Sequence, residues 1–395
     1  MPPLIFRKGL DMKAAVAAEL AAEYHSALVD RIREADYTYT SGRLTIHLAR
    51  EFGFCYGVDR AVDYAYQARR RFGDRNIFLT GEIIHNPHVN ARLRANGIRF
   101  LSDPGESVDA IGPDDVVILP AFGVSVAEML RLQRTGCTLV DTTCGSVLNV
   151  WKNVRQYAAD GFTAVIHGKH RHEETRATAS QALVYPGGQY LVVLDREEAA
   201  IVCDYIRHGG DREAFLAKFR EACSPGFDPD RHLERIGCAN QTTMLMSESL
   251  AIEGMFRDAM RDRYGEAELP LRFRAFDTIC SATEERQRAV VSLLDEHRLD
   301  LMIVVGGYNS SNTCNLARIC AERTPTFHIA EPACLVSPHE IRHRPAGSPP
   351  GGACEVATRD WLPPRGPLVV GLTAGASTPN NIVGEVIERL DRFAR

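Results

Sequence analysis

Three cysteines in similar local sequences are the residues of this chain best suited to bind a metal centre. Cys55 lies in FGFCYGV, Cys144 in DTTCGSV and Cys280 in DTICSAT. Thiolate ligands favour zinc, Cu(I) or iron–sulfur clusters. A closed zinc site usually has four ligands in closely spaced pairs, but these cysteines lie 89 and 136 residues apart and the chain has no CxxC pair. Three cysteines on a 4Fe–4S cluster would leave one iron open as a Lewis acid.

Polar residues recur at a fixed distance of 30 residues after each of these cysteines, at His85, Glu174 and Ser310. Each of these residues belongs to a polar cluster at the end of a β-rich run. The clusters are His85-Asn86, His172-Glu173-Glu174 and Ser310-Ser311-Asn312, and Thr242, Thr243 and Ser377 stand at the ends of the second strands.

An internal repeat predicts the elements that position these residues. Each of the three cysteines precedes a helical pattern with apolar residues at i, i+3, i+4 and i+7. A β-rich run follows each helix: NIFLTGEII, FTAVIHG and DLMIVVGG. A second strand then ends near Gly123, at Thr242 and Thr243, or at Ser377. Alternating strands and helices indicate parallel sheets, whose carboxyl ends form the usual ligand site.

The repeat therefore predicts an α/β fold of three pseudo-threefold-related units, whose strand ends converge on a central cavity with one thiolate from each unit. Two insertions are expected to lie on the surface, where extra residues are tolerated. The expected segments are an N-terminal helical extension at 1–42, unit one at 43–136, unit two at 137–270 with an insertion at 190–235, and unit three at 271–395 with a Pro/Gly-rich loop at 336–367.

Each candidate residue also has a purely structural interpretation. Ser310 and Asn312 could cap a helix that begins at Thr313. Ser377 could be a small residue in a turn. His85 could be a histidine on the surface at a strand end, and Thr242 and Thr243 could be ordinary β-branched strand residues. Glu174 could be a glutamate in the first turn of a helix, where the helix dipole favours a negative charge.

The composition is that of an ordinary globular chain, with 395 residues of which 25% are charged. A net charge of −5 provides no basic field for nucleic acid, and no apolar run approaches the roughly 18 residues of a membrane helix. The odd count of 11 cysteines and an acidic N-terminal region argue against a secreted or imported protein. We therefore expect a bacterial cytoplasmic protein.

The cysteines other than Cys55, Cys144 and Cys280 are expected to pack as small hydrophobic residues. They are Cys137, Cys203, Cys223, Cys238, Cys314, Cys320, Cys334 and Cys354.

The ordered motifs resemble those of one enzyme family over nearly the whole chain, from about 43 to 388. They are GFCYGVDRA, GEIIHNPHVN, DTTCGSV, HGKHRHEET, QTTM, DTICSATEERQ, GGYNSSNT and GLTAGAS. This set resembles the IspH/LytB family of 4-hydroxy-3-methylbut-2-enyl diphosphate reductases, which catalyse the last step of the methylerythritol phosphate route to isoprenoids. HNPHVN, LPAFG, HEETRATAS and the N-terminal extension look like the longer cyanobacterial and plant-type branch.

The resemblance implies a trefoil fold around one 4Fe–4S cluster with three cysteine ligands, which match Cys55, Cys144 and Cys280. It implies that the allylic hydroxyl of the substrate binds the open iron and leaves as water after the transfer of two electrons and two protons. The products are isopentenyl and dimethylallyl diphosphate. Ferredoxin or flavodoxin is the implied electron donor, and no nucleic acid or membrane partner is implied.

The resemblance also assigns roles to the candidate side chains. Glu174 matches the proton donor, and His172 and Thr242 match residues that line the site beside it. The residues that match the diphosphate-binding set are His85, Ser310, Ser311, Asn312 and Ser377.

Two residues depart from the commoner bacterial pattern of this family. Phe122 stands in Ala-Phe-Gly where a phosphate-binding histidine is common, and Gly145 follows Cys144 where proline is common. Gly145 leaves the cysteine in place. Lys169, His170 and Arg171, in the run GKHRH, are candidates to replace the lost positive potential at the diphosphate; the alternative for Lys169 and Arg171 is a solvated surface position.

Two other functions are consistent with the same residues. One is a cluster-dependent dehydratase or reductive dehydroxylase that acts on a different substrate. The other, from a different class, is a non-enzymatic zinc-binding or redox-sensing protein. The metal content of protein purified without oxygen would distinguish the second alternative, because a cluster is brown and contains iron whereas zinc is colourless.

Overall fold

The computed structural model describes residues 4–276, 278–348 and 355–395, which form both parallel strands and amphipathic helices. The strands are β1 (Ile5–Phe6), β2 (Thr38–Ser41), β3 (Leu44–Leu48), β4 (Ile77–Leu79), β5 (Ile98–Phe100), β6 (Val116–Leu119), β7 (Thr138–Asp141), β8 (Thr163–His167), β9 (Tyr190–Val193), β10 (Ile236–Asn240), β11 (Phe273–Ala275), β12 (Leu301–Val305), β13 (Thr326–Ile329), β14 (Leu335–Ser337), β15 (Glu340–His343), β16 (Val356–Arg359) and β17 (Leu368–Ala374).

The helices follow the periodic apolar segments of the sequence. They are α1 (Lys13–Tyr24), α2 (Ala27–Glu34), α3 (Tyr56–Arg71), α4 (Pro87–Ala95), α5 (Val126–Thr135), α6 (Gly145–Ala159), α7 (Glu173–Ala182), α8 (Arg196–His208), α9 (Arg212–Lys218), α10 (Pro229–His232), α11 (Met246–Tyr264), α12 (Leu269–Arg272), α13 (Ser281–Glu296), α14 (Ser311–Ala321) and α15 (Asn380–Ala394). Among the described residues, none of these helices is long and apolar enough to cross a membrane.

The chain divides into two compact units. The central unit comprises the residues up to Ile5 and Gly105–Cys280, and the split unit comprises Phe6–Pro104 and Ser281–Arg395. The central unit contains the predicted site residues Cys144, His172, Glu174, Thr242 and Cys280. The split unit contains Cys55, His85, Ser310, Ser311, Asn312 and Ser377. The division into three units and their arrangement around a cluster stay predictions.

The split unit is built on a five-stranded sheet with the order β13-β12-β17-β3-β2. All neighbouring strands are parallel except β2 and β3. Alternate residues of β12 enter two different cores: Ile303 packs in the core with α15, and Met302 packs in the core with α13 and α14. Because both faces are buried, the strand is apolar throughout. The carboxyl ends of β3, β12 and β17 lie at the same edge of this sheet.

The central unit is built on a parallel sheet with the order β11-β10-β8-β9. β6 and β7 form a further parallel pair in the same unit. Helices α6 and α7 pack on β8, whereas α8 contacts β9 and α11 contacts β11. The predicted α/β class with parallel sheets is therefore confirmed. The predicted helix after each cysteine and the β-strand after each helix are also present, as α3 and β4, α6 and β8, and α13 and β12.

The two insertions differ from the surface segments expected from the sequence. Residues 190–235 contain β9, α8, α9 and α10, and Phe215 and Phe219 of this segment are buried in the central core. Residues 336–367 contain most of an antiparallel sheet, β14-β15-β16, and Trp361 packs into the core of the split unit. Residues 349–354 lie outside the described residues. Large apolar side chains explain both differences, because burying each one stabilises the fold by about 1.5–3 kcal/mol.

Candidate active site

The three cysteines of the repeat occupy equivalent positions at the starts of helices. Cys55 and Cys144 are the N-cap residues of α3 and α6, and Cys280 directly precedes α13. All three side chains are half-buried. A half-buried sulfur atom at the start of a helix is accessible to a metal, whereas a sulfur atom inside the core is not. Each position therefore suits a metal ligand better than a fully buried thiol does.

Each of these cysteines is also anchored through its backbone to one of the strand-end motifs. The N–H of Cys55 donates to the carbonyl of Ala376 at 3.2 Å, and the N–H of Cys144 donates to Ala121 at 2.9 Å. The N–H of Cys280 is 3.5 Å from the carbonyl of Thr242. The repeat seen in the sequence therefore has a common backbone geometry.

Four of the other cysteines lie where burial raises the pKa of the thiol. Burial raises the pKa of Cys203 and of Cys320 to about 12. Burial also raises the pKa of Cys223 and places that of Cys238 well above the ordinary value. These thiols stay protonated at neutral pH and behave as small hydrophobic groups. Cys354 lies outside the described residues.

Glu174 is held inside the central unit by the end of a neighbouring strand. It lies in the first turn of α7 and is only 3% exposed. Its Oε1 accepts a hydrogen bond from the backbone N–H of Thr242 at 2.5 Å. Because Thr242 also contacts Cys280 through its carbonyl, one strand end connects the buried carboxyl group to a predicted metal ligand.

His172 caps α7 and fixes the orientation of the same turn. Its Nδ1 accepts a hydrogen bond from the N–H of Glu174 at 3.2 Å, so the hydrogen of the neutral ring resides on Nε2. The ring of Phe122 meets the ring of His172 edge to face, with 6.0 Å between centroids. Phe122 therefore packs beside His172, and its side chain has no group that can bind phosphate.

Gln241, directly after β10, holds the segment that carries Glu174. The side chain is completely buried. Its Oε1 accepts from the N–H of Lys169 at 3.2 Å and from the hydroxyl of Thr175 at 3.1 Å, and its Nε2 donates to Thr243 at 2.8 Å. The amide thereby ties the loop before α7, the first turn of α7 and the loop after β10. The sequence analysis missed this residue, although it lies within the quoted QTTM motif.

Cys144 packs near the same helix. It contacts the small apolar cluster of Val147, Trp151 and Ala177, and Ala177 is one turn after Glu174 in α7. Within the central unit, two of the three predicted ligands therefore lie beside elements that hold the carboxyl group.

The split unit brings together three of the predicted diphosphate-binding residues. The hydroxyl of Ser377 donates to the carbonyl of His85 at 3.1 Å. The Oδ1 of Asn312 accepts from the N–H of Ala376 at 2.9 Å. The Nδ1 of His85 is 2.8 Å from a carboxylate oxygen of Glu82, which orients the imidazole ring. These contacts place donor side chains from three separate strand ends next to one another.

Asn312 retains an unused hydrogen-bond donor inside the protein. The residue is 2% exposed, and its Nδ2 has no hydrogen-bond partner within the part of the chain that the structure describes. A buried donor without a partner destabilises the folded protein by about 1–3 kcal/mol. The Nδ2 of Asn312 is therefore a candidate to donate to a bound ligand that supplies the acceptor. Ser311, the first residue of α14, is also buried.

Ser310 caps a helix, as its structural interpretation predicts. Ser310 is the N-cap of α14, and its Oγ accepts from the N–H of Thr313 at 3.3 Å and from its hydroxyl at 3.0 Å. A serine hydroxyl can still donate its own hydrogen while it accepts. Capping and ligand binding are therefore compatible at this residue.

Arg171 is directed to an acidic partner. Its guanidinium lies 2.7 Å from Glu221 and lowers the pKa of that carboxyl group. The side chain is 79% exposed. An exposed and neutralised cation adds little potential at a distant phosphate, so this arrangement does not support the predicted compensation by Arg171.

Comparison with known proteins identifies the relatives of this chain. Residues 46–391 match the family model described as LytB protein. The chain is 52% identical over 392 residues to the 4-hydroxy-3-methylbut-2-enyl diphosphate reductase of Gloeobacter violaceus, covering 98% of this chain and 91% of that protein. It is 49% identical to the protein of the same name from a Nostoc species, over 97% of this chain and 93% of that protein.

Solved structures agree with these sequence matches. The structure of (E)-4-hydroxy-3-methyl-but-2-enyl diphosphate reductase, the terminal enzyme of the non-mevalonate pathway, covers 88% of this chain and 99% of its own, with a TM-score of 0.51 and 27% identity. A reductase from Plasmodium falciparum has a TM-score of 0.61 over 87% of this chain and 86% of its own; at 19% identity it supports the fold alone. This chain belongs to the LytB family.

Proposed function

We propose that this chain reduces 4-hydroxy-3-methylbut-2-enyl diphosphate to isopentenyl and dimethylallyl diphosphate. The carbon–oxygen bond of the allylic alcohol breaks, two electrons and two protons are consumed, and one water molecule leaves. The observation that carries the proposal is the 52% identity, over 98% of the chain, to a reductase of that name. The buried carboxyl group and the cluster of phosphate donors provide the chemistry that this reaction needs.

The proposed cofactor is a 4Fe–4S cluster held by Cys55, Cys144 and Cys280. The fit is supported by three thiols at helix starts, all half-buried and all anchored by their backbone N–H groups. When bound, the cluster supplies the electrons and an iron without a protein ligand, which provides Lewis acidity. We propose ferredoxin or flavodoxin as the electron donor and the reducing cytoplasm as the compartment, in keeping with the protonated buried thiols.

The diphosphate is proposed to bind in the split unit. Asn312 can donate through its unused Nδ2, and His85, Ser310, Ser311 and Ser377 add imidazole and hydroxyl donors. The N-terminus of α14 adds backbone N–H groups and a partial positive charge. Amide, imidazole and hydroxyl donors, together with a helix terminus, thus take the place of a cluster of Lys and Arg side chains.

Glu174 is proposed to protonate the departing oxygen. A hydroxide ion is a poor leaving group, and a positioned acid typically contributes about 10²–10⁴-fold in rate. The N–H of Thr242 fixes one oxygen of the carboxyl group, and His172 fixes the turn that carries it. Because Glu174 is buried, bulk water is excluded from its carboxyl group and does not compete with it as the proton donor to the departing oxygen.

Two measurements on anaerobically purified protein test this function. The first is the content of iron, sulfide and zinc, for which we expect a brown protein with about four irons. The second is turnover with the allylic diphosphate and with the same alcohol lacking the diphosphate. Strong preference for the diphosphate supports the proposal. Equal turnover of both would favour a different dehydroxylase, and one zinc without iron would favour the non-enzymatic alternative.

A further inference from the structure

Arg286 is an arginine buried almost completely in the split unit. It lies in the second turn of α13, six residues after Cys280, and is 3% exposed. Arginine is rarely buried, because removing its charge from water costs several kcal/mol per ion unless other groups compensate. A buried guanidinium at this position therefore needs an explanation beyond packing.

The guanidinium of Arg286 bonds to backbone carbonyls near two of the predicted ligands. Its Nη2 donates to the carbonyl of Gly53 at 2.8 Å, two residues before Cys55. Its Nη1 donates to the carbonyl of Ala282 at 2.8 Å, two residues after Cys280. The Nε atom is buried without an acceptor, and no carboxylate contacts the side chain, within the residues that the structure describes. The charge is therefore hydrogen bonded but not neutralised by an acid there.

The carbonyl of Gly53, which accepts a hydrogen bond from Arg286, lies in a loop whose backbone conformation favours glycine. Gly53 has a φ of +80°, and a Cβ atom there would lie 2.7 Å from the side chain of Asn380. The other side of the loop is held by backbone bonds from Ala49 to Leu372 and from Cys55 to Ala376. Arg286 supplies a further attachment, from a helix rather than from the sheet.

The buried charge also has an electrostatic consequence. A reduced iron–sulfur cluster carries one more negative charge than the oxidised form, and cluster potentials respond to nearby charge and hydrogen bonds. A cation in a low-dielectric interior acts over longer distances than one at the surface, because it is less screened. Such a charge favours the reduced cluster.

We propose that Arg286 is a positioning residue that holds the Cys55 loop and raises the reduction potential of the cluster. This inference rests on the cluster proposed above. The planar fork of arginine suits two carbonyl acceptors at once, whereas lysine would keep the charge but lose the fork. Replacement by glutamine keeps some hydrogen bonding and removes the charge. The two variants therefore separate holding from electrostatics.

The test is a redox titration of the anaerobic holoenzyme, with the rate of iron release to a chelator as a second readout. At the wild-type midpoint, Arg286→Gln should lower the ratio of reduced to oxidised cluster about tenfold, which is about 59 mV for a one-electron couple. Arg286→Lys should keep a potential close to wild type but release iron faster. Arg288→Gln is the matched control, because Arg288 lies on the same helix with its side chain 70% exposed, and it should change neither readout.

Three results would overturn the inference. They are a wild-type potential in Arg286→Gln at equal iron content, an equal shift in Arg288→Gln, and wild-type iron release in Arg286→Lys. If Arg286→Gln takes up no cluster, the Arg286→Lys release rate decides the positioning role. A wild-type protein that holds no iron would instead refute the proposed function, so the two failures can be told apart.

Discussion

Glu173 and Glu174 are adjacent acids in α7 with opposite environments. Glu173 is exposed, whereas Glu174 is buried and an oxygen of its carboxyl group accepts a hydrogen bond from the N–H of Thr242. Successive residues of a helix point about 100° apart, so two neighbours can have different environments, as Glu173 and Glu174 do at the start of α7. The motif HEET contains both acids, and the structure distinguishes them by their burial.

This difference makes Glu173 an internal control for the proposed acid. Glu174→Gln preserves the shape and the acceptor oxygen of the side chain but removes the acid proton. We expect normal iron content and substrate binding, with turnover reduced by at least about 10²-fold. Glu173→Gln should be close to wild type in the same anaerobic assay. Similar activity of the two variants at matched iron content would exclude Glu174 and direct attention to His172.

The predicted ligands can be tested against a cysteine whose pKa is raised by burial. Replacing Cys55, Cys144 or Cys280 with serine should prevent stable cluster binding, because a hard hydroxyl replaces a soft thiolate. Cys203→Ser should keep the full iron content, since its thiol lies in the core and has a pKa raised to about 12. Iron and sulfide analysis of anaerobically purified proteins measures both effects. Full iron content in Cys280→Ser would contradict the assignment.

Asn312 provides a test of the diphosphate site. Asn312→Asp keeps the size of the side chain but replaces the donor with a negative charge, which should repel the diphosphate. We expect KM to rise at least tenfold, about 1.4 kcal/mol of binding, with the cluster unaffected. Asn153→Asp makes the same chemical change in α6, where the amide bonds to Asn149, and should leave KM unchanged. An unchanged KM in Asn312→Asp would remove this residue from the site.

The strands and helices could be predicted because their periodicity is local. The 30-residue spacing and the apolar pattern after each cysteine indicated α3, α6 and α13 and the strands that follow them. The cores of the insertions could not be predicted in the same way, because Phe215 and Trp361 pack against residues distant in sequence. Local pattern identifies an element, and long-range packing decides which side of it is buried.

β13 contains a buried histidine that links two elements of the split unit. The Nε2 of His328 lies 2.9 Å from the carbonyl of Gly306, which follows β12. Burial lowers the pKa of His328 to about 4 from its ordinary 6.5. Because the folded pKa lies below the unfolded one, the neutral ring stabilises the protein above pH 6.5, and this stabilisation is lost as the pH falls from about 6.5 towards about 4.

The resulting pH dependence is measurable. Lowering the pH from 7 to 5 should cost the wild type about 2 kcal/mol in the free energy of unfolding through this group. His328→Gln can still donate to the carbonyl but does not titrate, so its loss over the same range should be smaller by that amount. Urea unfolding at both pH values measures the difference. Parallel losses in the two proteins would show that His328 titrates normally in the fold.

Across the whole chain, the motif order predicted the family, and the match over residues 46–391 confirms it. The candidate side chains were also named from the motifs, but their contacts were not. Arg286 and Gly53 are 233 residues apart, and the bond between Thr242 and Glu174 spans 68 residues. Pairings at such separations depend on how strands are ordered in a sheet, which local periodicity does not specify.

The central claim is that this chain couples electron transfer to the loss of an allylic hydroxyl group. The most direct measurement follows anaerobic turnover of 4-hydroxy-3-methylbut-2-enyl diphosphate with a coloured one-electron reductant, counting electrons consumed against product formed. The account predicts two electrons for each molecule of isopentenyl or dimethylallyl diphosphate and no product without reductant. Product formed without consumption of reductant, or reductant consumed without either product by iron-loaded protein, would contradict it.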